Sequence, residues 1–387
     1  MSPNHVPDTT HTDYLLIENV ADLYKIVVEL QKESEIGVDL EADSMFHYPE
    51  KVCLLQISTH ALNIVIDPLS VEGLSPLAPI FADARIRKIF HGADYDIRSL
   101  YRDFGIKLHS LFDTQIAARF LGIRETGLAS LLKKKFYILS DKRYQKKDWS
   151  QRPLSAAMLQ YAVQDICHLI PLAGILEREL MEKGLLFCVE EECEMLSNVR
   201  PNVSKNRPFF LNFKGAARFD PRSLAVLEKI LCFRDQVARR RDRPHFKVLG
   251  NKQIIEIARI KPVSKADLAG IKGLSTKLID HMGRSLIEKV KEGLNLPKEE
   301  LPVYPKKTRE RLRSKEATRV NALKIWRERM GRKWGLDPAL VCTNAQIRAI
   351  AIAKPGEPEN LECIQDIRKW QIKLFGPDIC NVLQQTG

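Results

Sequence analysis

The 387-residue sequence predicts an α/β domain followed by two all-helical bundles. Runs with the two-residue period of β-strands lie in the N-terminal part, and helical patterns surround and follow them, an order that indicates an α/β layer. From about residue 220 the strand signals disappear, and short helical patterns separated by Gly and Pro take over. Part of this helical region repeats at a constant offset of 93 residues, which predicts two copies of one domain.

The N-terminal domain starts with a helical pattern and continues with a meander of strand-like runs. The first helix is NVADLYKIVVELQKE, and the strand-like runs are EIGVDLEAD, CLLQIST, LNIVIDP and, after the helical SPLAPIFAD, RKIF. Four more helical patterns follow: ADYDIRSLYRDF, FDTQIAARFLG, GLASLLKKKF and the long PLSAAMLQYAVQDICHLIPLAGILEREL. The proline of the last pattern is acceptable because it stands near the helix start.

The internal repeat aligns without a gap. NKQIIEIARIKP, which starts at Asn251, falls on NAQIRAIAIAKP, which starts at Asn344, and Phe233 falls on Trp326. Between the copies, residues 297–313 contain three prolines and end in a basic stretch, as expected of a linker. We therefore expect two related helical domains joined by an irregular segment.

These patterns give predicted domain limits. Hydrophobic residues make up 44% of the chain and charged residues 28%, values typical of a folded globular protein. The start of the chain contains two prolines and almost no side chain suited to a core, so we expect a disordered tail there. The predicted parts are a tail at 1–13, the α/β domain at 14–200, a first bundle at 216–296, a linker at 297–313 and a second bundle at 314–387.

The sequence shows no targeting signal and no cysteine pattern typical of a zinc site. No signal peptide is visible, and we expect no apolar run near the roughly 18 residues of a membrane span, so a cytoplasmic location is predicted. The eight cysteines lack the paired short spacings of zinc sites, which favours buried free thiols. Zinc bound by Cys188 and Cys193 is an alternative, but no matching second pair exists.

The charge is divided unevenly along the chain. Residues 1–195 contain 21 Lys and Arg against 29 Asp and Glu, giving −8, whereas residues 196–387 contain 40 against 20, giving +20. A basic half joined to an acidic half suggests a polyanion-binding module tethered to another domain. A well-solvated basic surface is the alternative.

Two carboxylates stand in the first strand-like run. Asp39 and Glu41 are two residues apart, so their side chains point to the same face of a strand that is otherwise apolar. Carboxylates held together repel each other, and a hard cation such as Mg²⁺ or Mn²⁺ relieves that repulsion. Taken alone, this motif slightly favours an ordinary exposed strand face.

Further acidic residues follow in positions that allow them to converge on this strand. Asp96 lies in IFHGADYD, after a strand and near a helix start. Asp165 follows Tyr161 by four residues, so a helix would place both side chains one turn apart on one face. Asp43 and Asp94 are rival carboxylates, each two residues from a proposed ligand, and local spacing does not exclude them.

Three other features have both a functional and a structural interpretation. Asp113 in FDTQ is expected to cap a helix rather than to bind metal. His91, just after a strand, is either a structural histidine or a substrate contact. The basic stretch 133–149 alternates Lys and Arg with aromatic residues, so it is either a solvated loop or a guide for a single nucleic-acid strand.

The order of these motifs is that of a known family. DLE, then HGADYD about 55 residues later, then YxxxD about 70 residues further on, together with DWSQRPLS, resemble the ribonuclease D family. That family belongs to the DEDD exonuclease superfamily, in the branch where a tyrosine precedes the last aspartate. The resemblance spans essentially the whole chain and implies a ribonuclease-H-like α/β exonuclease domain, with a mixed sheet flanked by helices.

The resemblance also implies the roles of individual residues. Asp39, Glu41 and Asp165 would ligate one divalent metal ion, Mg²⁺ or Mn²⁺, and Asp39 and Asp96 would contact a second. Two ions about 4 Å apart would activate a water molecule and stabilise the leaving 3′ oxygen, releasing a nucleoside 5′-monophosphate. Tyr161 would orient the attacking water, since a free phenol titrates near 10 and is a poor base; simple ring packing is its alternative.

The repeats resemble HRDC domains, small all-α bundles known for nucleic-acid contact. The first copy matches through FRDQVARRRDRPHFKVLGNKQIIEIARIKP and the later LAGIKG. In the second copy Gly270 and Gly273 are replaced by Cys363 and Asp366, which we expect to alter the turn between helices. Whether both copies bind nucleic acid stays open.

The implied function is 3′-5′ exoribonuclease activity on stable RNAs, especially tRNA precursors, with the basic bundles holding structured RNA. Two alternatives remain at this point. A nucleic-acid-binding scaffold with an inert nuclease fold would show a broken carboxylate set, whereas all four acids and the tyrosine are present here. A DNA-directed exonuclease would share the catalytic chemistry. We expect a monomer, although the sequence leaves open the oligomeric state, the preferred metal and the placement of the bundles.

Overall fold

The computed structural model of the protein describes residues 12–139, 142–201, 207–305 and 311–386. Within these ranges the chain forms two compact units, and each is described by itself. The first unit comprises 12–42, 52–201 and 311–386, and the second comprises 43–51 and 207–305. Most of the predicted tail at 1–13 and positions 306–310 of the predicted linker lie outside the described residues.

A six-stranded mixed sheet lies at the centre of the first unit. Its strands are β1 (Leu15–Ile17), β2 (Glu35–Ala42), β3 (Val52–Ser58), β4 (Asn63–Ile66), β5 (Arg87–Phe90) and β6 (Leu111–Asp113). The strand order is β1-β4-β3-β2-β5-β6. β3 runs antiparallel to both of its neighbours, and the other pairs are parallel. β2 therefore lies in the interior of the sheet, and the predicted α/β class with a mixed sheet is confirmed.

Eight helices flank this sheet within the first 201 residues. They are α1 (Val20–Leu30), α2 (Ala78–Ala82), α3 (Asp94–Phe104), α4 (Thr114–Phe120), α5 (Leu128–Phe136), α6 (Ala156–Ile166), α7 (Leu169–Glu182) and α8 (Leu186–Ser197). The long helix predicted from PLSAAM to EREL is wrong in one respect, because the chain turns at Cys167 and His168 and divides it into α6 and α7. The three-residue edge strands β1 and β6 were not predicted.

The expectation about apolar runs also needs correction. The stretch 156–182, which contains α6 and α7, is long and apolar enough by length and composition to pass a test for a membrane span. However, 56% of its most apolar window is buried inside the fold, and core helices of globular domains pass the same test. The stretch is therefore weak support for a membrane span.

The second unit contains the first helical copy. Its helices are α9 (Pro221–Arg241), α10 (His245–Val248), α11 (Asn251–Ile260), α12 (Lys265–Ala269) and α13 (Thr276–Leu294). Asp220 starts α9 by accepting hydrogen bonds from the backbone N–H groups of Arg222 and Ser223, a typical N-cap. The buried core of this unit is formed by side chains of these helices, of the turns between them and of Phe210, Phe213 and Ala216 before α9.

The second helical copy has the same plan and belongs to the first unit. Its helices are α14 (Ser314–Trp334), α15 (Pro338–Val341), α16 (Asn344–Ala353) and α17 (Lys369–Gln385). The first residues of α9 and α14, 221 and 314, differ by the 93 residues of the repeat. Equivalent arginines also make equivalent bonds: Arg234 donates to Asn251 over 2.7 Å and Arg327 to Asn344 over 2.9 Å. The predicted repeat is confirmed.

The replaced glycines change the turn only in part. The equivalent of α12 is a 3₁₀ helix at Pro358–Cys363. Yet Asp366 has φ 65°, in the same left-handed region as Gly273 with φ 91°. Asp tolerates this region better than most residues because its short polar side chain bonds locally. The replacement therefore changes only the helix before the turn, from an α-helix to a 3₁₀ helix, and the turn residue keeps its left-handed conformation.

The second copy packs on α8 of the α/β part through a cluster of buried and half-buried contacts. Glu191 accepts hydrogen bonds of 2.8 Å from the backbone N–H groups of Lys369 and Trp370. Glu192 accepts from the Trp370 indole at 2.9 Å and from Arg368 at 3.1 Å. Side chains of both parts also join one hydrophobic cluster, in which Phe120 meets Trp370 edge to face with ring centroids 5.2 Å apart. These contacts make the second copy part of the first unit.

All eight cysteines are free thiols, as predicted, and five of them are buried. Among the described residues, Cys188 and Cys193 belong to no cluster of metal-ligating side chains. The Cys193 sulfur instead accepts a hydrogen bond of 3.2 Å from the backbone N–H of Asp113. Burial raises the pKa of both thiols to about 12, which keeps them protonated and poor metal ligands.

Candidate active site

The two carboxylates of β2 point to one face of the sheet. Asp39 pairs with Gln56 of β3, and Glu41 pairs with Leu54. A carboxylate oxygen of each lies within 4.8 Å of the other and of a carboxylate oxygen of Asp165. The alternative of an ordinary exposed strand face therefore does not hold, because an acid from a distant helix converges on the same point.

Helix α6 supplies both Asp165 and Tyr161. Ser155 starts this helix by accepting a hydrogen bond from the backbone N–H of Met158. The four-residue spacing then places the two functional side chains on one face, where Tyr161 hydrogen-bonds Asp165. The ring of Tyr161 packs near Tyr144 and Trp149, with centroids 5.9 and 6.1 Å away. The ring of Tyr161 therefore packs, while its hydroxyl reaches the acidic cluster, and its role toward a water molecule stays a prediction.

Asp96 lies in the first turn of α3, and its side chain is buried. It is close enough to the cluster that its charge raises the pKa of Asp39 and of Glu41. The first turn of a helix favours an anionic side chain, because unpaired backbone N–H groups give that end a positive potential. Asp96 therefore sits next to the three clustered acids without lining the cleft in front of them.

The two rival carboxylates have other partners. Asp94 forms an ion pair with Arg98 at 2.9 Å, and its side chain is 59% exposed. Asp43 accepts a hydrogen bond of 2.8 Å from the backbone N–H of Lys51 and belongs to the second unit. Asp113 is a helix cap, as predicted, and accepts from the backbone N–H groups of Gln115 and Ile116 at 2.8 and 3.2 Å. None of these three acids is in the cluster of described metal-ligating residues.

The pKa values of the four acids show that they lie in a buried and negatively charged environment. Burial and then the neighbouring carboxylates raise the pKa of Asp39 and Glu41 well above their usual values. Burial raises the pKa of Asp96 to about 7 and that of Asp165 to about 6, the latter despite a hydrogen bond from Tyr161. Clustered oxygen ligands of this kind fit a hard divalent cation, whose charge would offset the repulsion. The residues present therefore suit a divalent metal.

Tyr161 is a hydrogen-bond donor in this environment. Burial and then the charges of Asp165 and Glu41 raise the pKa of the phenol. The hydroxyl is therefore protonated at neutral pH, and the group does not act as a base. Its O–H group donates to Asp165 of the cluster.

A cleft of about 300 Å³ opens in front of the cluster, and its lining includes Asp39, Glu41, Tyr161 and Asp165. His91 also lines it. The His91 ring is 2.9 Å from the Thr114 hydroxyl, which donates to the Phe90 carbonyl over 3.0 Å. Burial lowers the pKa of His91, so the ring is neutral at pH 7. His91 thus combines a structural hydrogen bond with a position at the cleft.

Several residues at the site were not named individually by sequence reasoning. Lys142 and Gln145 line the cleft and belong to the basic stretch 133–149. Gln56 is fully buried opposite Asp39, and its amide N and O have no hydrogen-bond partner among the described residues. Residues directly opposite on antiparallel strands share a face, so this amide lies on the side of the sheet that carries Asp39. A polar residue within the apolar run CLLQIST was the available signal.

Residues of the motif DWSQRPLS hold Trp149 next to Tyr161. Arg152 donates to Asp67 through two nitrogens, over 2.5 and 2.7 Å. It also donates to the backbone carbonyls of Cys53 on β3 and of Trp149, both over 2.8 Å. Trp149 is buried and lies against Tyr161. Arg152 therefore ties the segment that carries this tryptophan to the sheet.

Comparison with known proteins agrees with this geometry. Residues 14–181 match the family model of the 3′-5′ exonuclease domain, and residues 223–290 and 316–383 each match the HRDC domain. Ribonuclease D of Pseudomonas paraeruginosa is 28% identical over 372 residues, covering 96% of this chain and 97% of its own. Protein RRP6-like 2 of Arabidopsis thaliana is 32% identical over 270 residues, covering 66% of this chain and 31% of its own.

Solved structures show the same relationship. The crystal structure of Escherichia coli RNase D, described as an exoribonuclease involved in structured RNA processing, aligns with a TM-score of 0.74 and 25% identity. That alignment covers 97% of this chain and 99% of the E. coli chain. The catalytic core of RRP6 from Trypanosoma brucei aligns with a TM-score of 0.63 and 29% identity, over 74% of this chain and 81% of that one. With its exonuclease domain, its two HRDC domains and relatives matched almost from end to end, the chain belongs to the ribonuclease D family of 3′-5′ exoribonucleases.

Proposed function

We propose that this protein hydrolytically removes nucleoside 5′-monophosphates from the 3′ end of RNA, using two divalent metal ions. The observation that carries the proposal is the convergence of Asp39, Glu41 and Asp165 within 4.8 Å, with Asp96 beside them. Their raised pKa values indicate charge that only a cation or protons would balance at neutral pH.

The proposed roles follow the positions of the side chains. Asp39, Glu41 and Asp165 would hold one ion, and Asp39 with Asp96 would hold the second. When bound, Mg²⁺ or Mn²⁺ would supply Lewis-acid activation of water and stabilisation of the leaving 3′ oxygen. Tyr161 would hydrogen-bond the attacking water and orient it, with its oxygen accepting from the water because its single O–H group donates to Asp165.

We further propose structured RNA, including tRNA precursors, as the substrate class. The E. coli relative is described as acting in structured RNA processing, and residues 196–387 of this chain carry a net charge of +20, which favours binding to phosphates. A monomer in the cytoplasm remains our expectation. Sedimentation analysis of the full chain tests the oligomeric state.

The direct test incubates a 5′-labelled, 3′-tailed tRNA precursor with Mg²⁺ and the full-length protein. We expect stepwise 3′ shortening with release of nucleoside 5′-monophosphates, and a loss of at least about 1,000-fold in rate for Asp39→Ala, because removing a shared metal ligand removes both ions. Asp94→Ala is the matched control, since Asp94 is exposed and paired with Arg98. Equal shortening by wild type and Asp39→Ala contradicts the site assignment.

Two further measurements separate the alternatives. If the wild-type protein binds RNA but releases no monophosphate under any divalent metal, the protein is an RNA-binding scaffold. Competition between RNA and DNA strands of one sequence tests the choice of RNA, and preferential shortening of the DNA contradicts it. Calorimetric titration of Mn²⁺ tests the number of ions, because two sites are expected in the wild type and at most one in Asp96→Asn.

A further inference from the structure

The cleft at the carboxylate cluster adjoins a second cleft of the first unit, and the second cleft adjoins a third. It shares Ala129 and Ser130 with a second cleft of about 710 Å³. That cleft shares Ile123 and Arg124 with a third, of about 550 Å³, which reaches the C-terminal end of α14 in the second HRDC domain. Shared lining residues place the three clefts next to one another, and we call the second and third clefts together the extended groove.

The extended groove is rich in exposed cations. Arg124, Lys133 and Lys134 line the second cleft, together with the acid Glu125. Arg119, Arg124 and Arg332 line the third cleft. In the part of the chain that the structure describes, none of these five cationic side chains forms an ion pair, whereas the neighbouring Lys135 pairs with Glu179.

The two acidic residues of the third cleft, Glu328 and Asp337, already interact with other groups of the protein. Asp337 accepts a hydrogen bond of 2.7 Å from the backbone N–H of Ala339 and so caps α15. Glu328 lies 3.4 Å from the neighbouring Arg327. The cations therefore exceed the acids in each of the two clefts, and they face solvent without internal partners.

An exposed aromatic ring lines the second cleft of the extended groove. Tyr137, directly after α5, is 90% exposed, and Leu139 beside it is 79% exposed. An aromatic ring with this exposure gains nothing from the core of the protein. Flat rings beside unpaired cations are the usual composition of surfaces that bind single-stranded nucleic acid, because bases stack on the ring while phosphates meet the cations.

We propose that the extended groove binds the single-stranded RNA on the 5′ side of the nucleotide that is removed, with Tyr137 stacking a base and Arg124 and Arg332 contacting phosphates. This inference rests on the proposed function, since an enzyme that removes the 3′ nucleotide holds that end at the carboxylates. The rest of the strand must leave the active-site cleft along one of its walls, and the extended groove adjoins that cleft at Ala129 and Ser130. The second HRDC domain thus forms part of the substrate path through Arg332.

Two substrates of different length test this proposal on the full-length protein. A dinucleotide, with one phosphodiester, occupies only the cleft at the carboxylates, whereas an unstructured 12-nucleotide RNA reaches the extended groove. For Tyr137→Ala and Arg332→Glu we expect KM for the 12-mer to rise about fivefold or more, with kcat nearly constant and with the dinucleotide unaffected. The salt dependence of 12-mer binding should also become less steep in Arg332→Glu, by about 0.7 in log–log slope per lost contact.

Lys324→Glu is the matched control, because Lys324 is an exposed cation on the same helix as Arg332 but lines none of the three clefts. It should leave KM for both substrates unchanged, and a thermal melt of each variant checks that the fold is retained. A 12-mer KM that stays at the wild-type value in Tyr137→Ala and Arg332→Glu overturns the groove while leaving the proposed function intact. An equal loss on both substrates also overturns it. Failure of the wild type to shorten either RNA refutes the proposed function instead.

Discussion

At the scale of single residues, the carboxylate cluster costs stability when no cation is bound. Asp39 lies beside Glu41, Asp96 and Asp165, and its pKa is raised by burial and by the charges of Asp96 and Asp165. Each deprotonated neighbour adds repulsion that folding must overcome. Sites shaped for function commonly reduce stability in this way, and removing one such charge stabilises the fold by about 0.5–2 kcal/mol.

Asp39→Asn should therefore increase the unfolding free energy in EDTA at pH 8 by about 1 kcal/mol while abolishing exonuclease activity. Mn²⁺ should raise the melting temperature of the wild type and have a much smaller effect on the variant, because binding to the folded state alone stabilises it. Asp94→Asn, which removes an exposed and paired charge, should show neither change. A variant less stable than the wild type in EDTA would contradict the repulsion argument.

The Asp67–Arg152 ion pair, unlike the carboxylate cluster, stabilises the folded state. Burial by itself would raise the pKa of Asp67, but hydrogen bonds from Arg152, Ser70 and the backbone of Leu69 outweigh it and lower the pKa overall. A carboxyl group with a lowered folded-state pKa stabilises the protein above its unfolded value near 3.9, and that stabilisation is lost as the pH falls through the folded pKa. Asp67 is nearly fully buried, so the pair is poorly screened by solvent.

Asp67→Asn should lower the unfolding free energy by about 2–3 kcal/mol at pH 6, because Arg152 loses its charged partner. The difference from the wild type should begin to shrink as the pH falls below about 4, where Asp67 of the unfolded chain binds a proton, and it should be lost as the pH falls through the lowered pKa of the folded state. Denaturant unfolding at several pH values measures this. Asp83→Asn is the control, since its Arg85 partner is 88% exposed and surface pairs contribute little. A constant difference across the pH range would argue against an electrostatic origin.

At the scale of elements, one glycine marks a close approach between the α/β part and the second HRDC domain. Gly122 has φ +76°, and a Cβ atom there would lie 2.2 Å from the backbone oxygen of Gly335. Gly105, after α3, has a similar φ of +67° but open space around it. A side chain would strain the backbone at both positions, but only at Gly122 would it also collide with a neighbouring residue.

Gly105→Ala should cost about 1 kcal/mol of unfolding free energy, the usual penalty for a left-handed non-glycine residue. Gly122→Ala should cost at least about 2 kcal/mol more, because the backbone of Gly335 has to move away. Thermal or denaturant unfolding of the two full-length variants gives the comparison. Equal losses would mean that the contact with Gly335 yields without cost.

The sequence predicted most elements because they are long enough to show a repeating apolar pattern. Helices α9 and α14 recur at an offset of 93 residues with their ends in register, since both copies bury the same face. Edge strands β1 and β6 have only three residues, too few to show a period of two. The turn at Cys167 and His168 was missed because apolar residues continue across it, so that α6 and α7 have the pattern of one helix.

The candidate site was predictable where spacing alone brings residues together. The two-residue and four-residue spacings placed Asp39 with Glu41 and Tyr161 with Asp165. Choosing Asp96 over Asp94 required the family resemblance at first and then the three-dimensional contacts, because neighbouring residues in a helix point in different directions. The extended groove was beyond sequence reasoning, since Arg332 lies nearly 200 residues after Lys133.

At the scale of the whole molecule, the two HRDC domains are organised differently. The first lies in the second unit together with the loop Asp43–Lys51, which leaves β2 directly after the metal-ligand candidates. In that unit Tyr48 donates a hydrogen bond of 2.5 Å to Asp235 and packs against His245 with centroids 4.2 Å apart. Burial and the neighbouring Asp235 raise the pKa of Tyr48 to about 12, so the donor stays protonated. The β2–β3 connection is thereby fixed by the first HRDC domain.

The second HRDC domain, by contrast, completes the core of the exonuclease domain, and truncation should reveal this. A chain ending after residue 305 loses the partners of Glu191, Glu192 and Phe120 and exposes apolar surface that the full chain buries. We expect a melting temperature at least about 5 °C lower, increased binding of a hydrophobic dye and loss of the extended groove's effect on long RNA, because Arg332 is removed. Glu191→Ala with Glu192→Ala in the full-length chain tests the same interface without deleting residues, and it should lower the melting temperature less than the truncation does. If the truncated chain melts like the full chain, the second HRDC domain is an independent module and the shared core contributes no stability.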